Sequence, residues 1–211
     1  MDLSSLSAYI FTCLVIELTP GPNMGFLALV AATRGRRLGF STVAGIALGL
    51  LVVGVLAAAG VATFVDRSEF FYQTLRFGGG AYLLWLALQQ WREADKPVLD
   101  AQHMSPMVRR YFRYGLTVNL LNPKAALFYI AILPTYLHSN ASTESSTIAE
   151  AVWLTLIYVS IATTIHILIV LFSSTLQPVF QKEGLRRNTA RGFALLLAAI
   201  AVWMVWQSAR P

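Results

Sequence analysis

The sequence predicts an all-α integral membrane protein. Six transmembrane helices form two inverted-topology three-helix repeats, each opening with a broken first helix. Three observations carry that expectation. Of 211 residues, 56% are hydrophobic and only 12% are charged, about half the charge of a soluble domain. The apolar residues fall into runs long enough to cross a bilayer, separated by polar loops. Two of these runs, the first and the fourth, are interrupted by proline beside a capping residue and close to a charge.

The first run extends from about Leu3 to Ala32. As one straight helix it would be roughly 45 Å long, more than the roughly 30 Å hydrocarbon layer. The stretch Glu17–Asn23, ELTPGPN, supplies the break that absorbs the excess. A short basic loop, Arg34–Arg37, follows. The second run, Gly39–Val65, carries no charge before its end and holds Gly45 and Gly49 at the spacing of close helix packing. The third, Phe70–Trp91, contains Arg76 and three consecutive glycines, and is the weakest of the six. A polar connection with Pro97 and Pro106 separates the halves, so the expected division is 1–96, a linker at 97–108, and 109–211. The fourth run, Tyr111–Leu137, is broken at Asn122-Pro123-Lys124. The fifth, Ala151 to about Val179, holds His166 as its one ionisable group. The sixth runs from Gly192 to about Gln207.

Charge placement sets the expected orientation. Loops after the first, third and fifth runs hold twelve Lys and Arg residues: Arg34, Arg36, Arg37, Arg92, Lys96, Arg109, Arg110, Arg113, Lys182, Arg186, Arg187 and Arg191. The opposite side holds three, Arg67, Arg76 and Arg210. Basic loops stay in the cytoplasm, so both termini are expected outside. The N-terminus has Asp2 where a cleavable leader would be basic. The net charge of +6 is spread over these loops and forms no basic face, which argues against nucleic acid. Each half is a broken span, an unbroken span and a glycine-containing span. An odd number of spans per half inverts the second half, which places a binding site between the halves near mid-depth.

Thr19 is expected to cap a helix beginning at Pro20, and Asn122 one beginning at Pro123, since proline suits a first helical turn. Two such starts facing each other, with the Lys124 ammonium, suit a carboxylate. Glu17 and Lys124 both fall near mid-depth of their spans, where charge normally faces a cavity or a partner. Two readings stay open: an ion pair joining the halves, or a Glu17 that receives a substrate amine or a transported proton. His166 reads either as a packing residue or as a proton relay. His103 and His138 read as solvated. Cys13 is the single cysteine, so no internal disulfide forms. No catalytic signature, metal cluster or cofactor motif is present.

TPGPNM, then TRGRRLGFSTVAGIALG, FGGGAYLLWLA and NLLNPKAALFYIAILPTYL together resemble the lysine exporter (LysE/RhtB) family of bacterial amino-acid exporters over nearly the whole chain. The resemblance implies a secondary transporter of the bacterial cell inner membrane, with periplasmic termini, that exports amino acids or close derivatives on the proton motive force. It implies no cofactor and is compatible with a homodimer. With the residue-level reading it gives a substrate-binding set of Glu17, Thr19, Pro20, Gly21, Pro22, Asn23, Asn119, Asn122, Pro123 and Lys124. Glu17 and His166 are the proton-coupling candidates. Many members carry an acidic residue where this chain has Leu50, a departure that shifts weight onto Glu17. The rival readings are an exporter of another small metabolite, an intramembrane enzyme using Glu17 and His166, and a structural membrane subunit.

Overall fold

The computed structural model describes residues 3–59, 69–93, 104–137, 144–180 and 186–207. These residues are helical throughout their regular structure, with no strand among them. In chain order the helices are α1 (Leu3–Leu18), α2 (Pro22–Arg34), α3 (Arg36–Ala58), α4 (Glu69–Glu93), α5 (Met104–Leu120) and α6 (Pro123–Leu127). A π turn (Phe128–Ile132) and a 3-10 turn (Leu133–Tyr136) extend α6. Then come α7 (Glu144–Ser174), the short α8 (Gln177–Phe180) and α9 (Arg186–Gln207). His103, His138 and most of the expected linker lie outside the described residues; α5 already begins at Met104.

Both expected breaks are present. α1 and α2 meet at 59°, and α5 meets the helical segment from Pro123 to Tyr136 at 51°. By length and composition α3 and the Thr147–Ser174 part of α7 can each cross a membrane, and each bent pair qualifies as one further span. That gives two to four candidate spans among the described residues. In α9 the apolar part is short, Ala190–Trp206. In α4 the chain carries Arg76 near its start, whose guanidinium donates to the Val205 carbonyl of α9 at 2.6 Å.

The basic loop expected at Arg34–Arg37 is a one-residue turn. Gly35 has φ +87°, in the left-handed region that L side chains rarely adopt. Its N–H bonds the Ala31 carbonyl at 3.1 Å and closes α2. Arg36 starts α3 at once and reaches Ser174 Oγ at the end of α7, at 3.0 Å.

α3 is the spine of the molecule, packed on α5 and α7, while α4 packs on α9 and α1 on α7. The α3–α5 contact is backbone against backbone. A Cβ on Gly45 would sit 2.0 Å from the Phe112 carbonyl oxygen, and one on Gly115 would sit 2.3 Å from that of Thr42. Small residues at such crossings let helices approach closely. Gly45→Ala is therefore expected to cost about 1–3 kcal/mol through overpacking, read as a lower Tm in detergent. Gly78→Ala, where nothing lies within 4 Å, should leave Tm unchanged and serves as the control.

Two apolar clusters result. One joins α1, α3, α6 with its π turn, and α7 around Tyr9, Ile46, Phe128 and Tyr158. The other joins α2, α4, α5 and α9 around Phe26, Leu83, Tyr111 and Leu197. Helices α2 and α3 feed both, with Leu27 and Ala31 on one side and Phe26 and Val30 on the other. Much of the outer surface is apolar, with Phe11, Trp153, Phe172 and Trp206 exposed, as a lipid-facing surface requires.

Candidate functional site

The first break is built differently from the sequence expectation. Thr19 does not cap a helix starting at Pro20. Its hydroxyl donates back to the Val15 carbonyl at 2.9 Å, and its N–H to Val15 and Ile16, so Thr19 closes α1. A residue before proline is driven out of the helical region, and two prolines one residue apart keep Thr19 and Gly21 from continuing a helix. α2 starts at Pro22, with Gly21 in extended conformation as its cap and no side-chain capping bond. Thr19 and Pro20 are exposed, whereas Gly21, Pro22 and Asn23 are buried.

The second break follows expectation. Asn122 Oδ1 accepts from the Lys124 N–H at 3.0 Å, and Pro123 occupies the first helical position, where an N–H would have had no partner. Asn122 and Pro123 are buried.

The two breaks meet. Lys124 Nζ donates to the Thr19 carbonyl at 2.6 Å. Its stem passes Gly21 so closely that a Cβ there would lie 3.2 Å from Lys124 Cδ. Asn23 Nδ2 donates to Asn119 Oδ1 at 2.7 Å across the same junction. Asn119 also supplies the carbonyl for the Asn122 N–H at 3.0 Å, and it packs on Gly49 of α3. The Asn23–Asn119 pair uses one donor and one acceptor. The other acceptor, Asn23 Oδ1, and the other donor, Asn119 Nδ2, are buried without a protein partner. A buried polar atom left unpaired costs about 1–3 kcal/mol.

Glu17 faces the same space from α1. The ion pair with Lys124, one of the two readings left open for Glu17, is not formed, and the carboxylate makes two other contacts. Oε1 accepts from the Tyr158 hydroxyl at 2.5 Å, and Oε2 lies 3.5 Å from His166 Nε2. Both partners come from α7, on which Thr155, Tyr158, Ala162, His166, Val170 and Ser174 form one buried face. Ala162 leaves room between Tyr158 and His166, and the Glu17 carboxylate bridges them. Tyr158 is fixed further by stacking on Phe128, with ring centroids 3.7 Å apart. His166 is 1% exposed.

Glu17, Gly21, Asn23, Met24, Leu50, Asn122, Lys124, Ala125 and Tyr158 thus line one small cleft. Its free space is about that of a single water molecule. Pro20, Pro22 and Pro123 shape it without lining it; Asn119 and His166 act through Asn23 and Glu17. Four lining residues, Met24, Leu50, Ala125 and Tyr158, were not in the expected set. Tyr158 precedes His166 by two helical turns, a face relationship readable in the sequence once His166 is taken to face inward. Leu50 was singled out only as the place where many relatives carry an acidic residue, and nothing in the sequence marks Met24 or Ala125 as lining a cleft. Among the described residues no group of His, Cys, Asp and Glu could hold a metal ion.

Gly21 is the residue that lets Lys124 cross. Gly21→Val puts branched methyls where the lysine stem runs and displaces the ammonium from the Thr19 carbonyl. The expected result is a Tm in detergent lowered by the cost of overpacking, about 1–3 kcal/mol.

Comparison with known proteins now becomes informative. The family model described as "LysE type translocator" matches residues 14–208. The chain is similar to the homoserine/homoserine lactone efflux protein of Salmonella typhimurium, 32% identical over 130 residues, 62% of this chain and 63% of that one. It is similar to the leucine efflux protein of Klebsiella pneumoniae, 33% identical over 141 residues, 64% of each. It is also similar to the threonine efflux protein of Salmonella typhi, 30% identical over 132 residues, 60% of this chain and 64% of that one. The matched part thus spans somewhat under two thirds of these relatives. No solved structure matches. With the family model covering almost the whole sequence, the chain belongs to the LysE type translocator family.

Proposed function

We propose that this protein exports neutral amino acids or close derivatives across the bacterial inner membrane, in exchange for inward protons, by alternating access. One observation carries the reading: two helix breaks from opposite halves meet around a cleft that holds both a carboxylate and an ammonium. The cargo carboxylate would take Lys124 Nζ from the Thr19 carbonyl and use the spare Asn119 Nδ2 donor. The cargo ammonium would lie between Glu17 and the spare Asn23 Oδ1 acceptor. These groups match a zwitterion and leave no charge for a third, and Leu50 and Met24 present apolar walls to its side chain. The efflux proteins named above, for homoserine, leucine and threonine, fit a neutral cargo.

Coupling follows from competition. Glu17 can hold an ammonium only as a carboxylate, and a proton on it excludes the amine. Ligands that compete for one group drive each other's movement when the group alternates between two sides. His166 lies behind Glu17, outside the cleft lining, and offers the proton a place apart from the cargo. The closed cleft must widen to admit an amino acid, which requires the α1–α2 and α5–α6 junctions to separate. The frame for this motion is six spans in two inverted halves, 1–96 and 109–211. The linker, the twelve basic loop residues and Lys96 within them face the cytoplasm, and both termini face the periplasm. Counterflow and efflux from proteoliposomes, against a panel of neutral, basic and acidic amino acids with and without a pH gradient, test the reading. Flux of neutral amino acids accelerated by inward protons is expected. A preference for lysine or glutamate, or indifference to the gradient, rejects it.

A further inference from the structure

The last turn of α4 holds three arginines from three helices. Gln89 Oε1 accepts from Arg110 of α5 at 2.8 Å, and Gln90 Oε1 accepts from Arg34 of α2 at 3.2 Å. The guanidinium of Arg191 of α9 sits over the Trp91 ring at 5.0 Å. Three consecutive residues thus tie α2, α5 and α9 to the end of α4. Beneath them a crevice opens between these four helices, lined by Phe26, Leu29, Tyr111, Tyr114 and Leu197 along with Gln89, Gln90 and Arg110 themselves.

We infer that this crevice is the passage by which cargo reaches the cleft from the basic face, and that Gln89 and Gln90 are positioning residues that latch it shut. The inference rests on the cargo reading for what passes, but not for how the passage is closed. Its ground is shared helices. α2 carries Asn23 at its first turn and Arg34 at its last; α5 carries Asn119 at its last turn and Arg110 nine residues earlier, nearly two turns inside its start. The Asn23–Asn119 bond holds the two helices together at the cleft, and the latch holds them through α4 at the basic end. Asn23, Phe26 and Val30 follow one another at helical spacing on α2. Phe26, Val30, Tyr111 and Val118 are buried together between cleft and latch. Parting α2 from α5 at the latch would open a continuous route past this plug to the amide pair. The glutamine carbonyls are neutral acceptors. A bond from a charged donor to a neutral carbonyl is worth about 1.5–3 kcal/mol, about tenfold or more in an equilibrium, so losing both glutamines is enough to shift the latch.

Cys13 is the chain's single cysteine and is buried, so Cys13→Ala gives a clean background. Val118→Cys then reports on the plug. A membrane-impermeant maleimide is applied to inside-out vesicles, where the basic face is outward, and to right-side-out vesicles. Gln89→Ala with Gln90→Ala is expected to raise labelling about tenfold in inside-out vesicles alone, the effect of losing a bond to a charged donor. Gln89→Glu with Gln90→Glu turns both contacts into ion pairs. It should slow labelling and export together, a change opposite in sign to that of general loosening. Labelling that ignores both pairs of substitutions, or rises equally from both faces, overturns the latch. If the alanine pair opens the plug but Lys124→Met leaves flux intact, the latch stands and the cargo site is wrong. If Lys124→Met stops flux while labelling ignores the latch, the converse holds.

Discussion

Lys124→Met is expected to lower export about thirtyfold or more while the protein still accumulates in the membrane. Among the described residues the Lys124 ammonium is the one cation lining the cleft, and under the proposed mechanism it receives the cargo carboxylate. Removing one member of a desolvated, hydrogen-bonded charge pair costs about 2–5 kcal/mol, and each 1.4 kcal/mol is a factor of ten in affinity. Methionine keeps the length and apolar volume of the stem that passes Gly21, so packing survives. The lost bond to the Thr19 carbonyl is local. Lys124→Arg is not a rescue: a planar guanidinium needs width that the narrow crossing at Gly21 does not offer. Uptake into everted vesicles, where export runs inward, normalised to protein amount, reads both variants. Near-normal export by Lys124→Met would remove the carboxylate site.

Glu17→Gln is expected to uncouple transport from the pH gradient. Glutamine keeps an acceptor for the Tyr158 hydroxyl, which now meets Glu17 Oε1 at 2.5 Å, so the α1–α7 contact persists. It can neither bind a proton nor present a charge to an ammonium. Two effects follow and separate cleanly. The apparent cargo affinity falls about tenfold or more, the loss of a bond between charged groups. The acceleration by inward protons disappears, so that counterflow and gradient-driven efflux reach the same rate. A variant that still responds to the gradient would place the coupling group elsewhere.

The breaks were legible in the sequence because proline is local in its effect. Pro22 and Pro123 each remove an N–H, and no distant contact can restore it. The meeting of the breaks was legible as well, since a charge at mid-depth in each half demands an interior partner. The partners themselves were not. Charge alone left a Glu17–Lys124 pair as one of two open readings, whereas the backbone freed at Thr19 offers Lys124 a carbonyl. Glu17 turns instead to Tyr158 and His166, whose spacing on α7 acquires meaning only once that helix packs on α1. Thr19 was misassigned for a related reason. A threonine between a helix and a proline can serve the end of one helix or the start of the next, and its hydroxyl reaches the carbonyl of the turn already formed. The latch was invisible, because Gln89 and Gln90 are ordinary polar residues until three separate helices deliver their arginines.

The most direct test of one shared site is the energetic coupling between the cargo carboxylate and Lys124. Binding of the preferred neutral amino acid and of its decarboxylated amine is measured by equilibrium titration of the detergent-purified wild type and of Lys124→Met. The wild type should favour the amino acid by a factor of about ten to a hundred, the worth of a charge-assisted contact, and Lys124→Met should lose that preference. Equal preference in both proteins would mean that the carboxylate binds away from Lys124, and that the two breaks do not form the site.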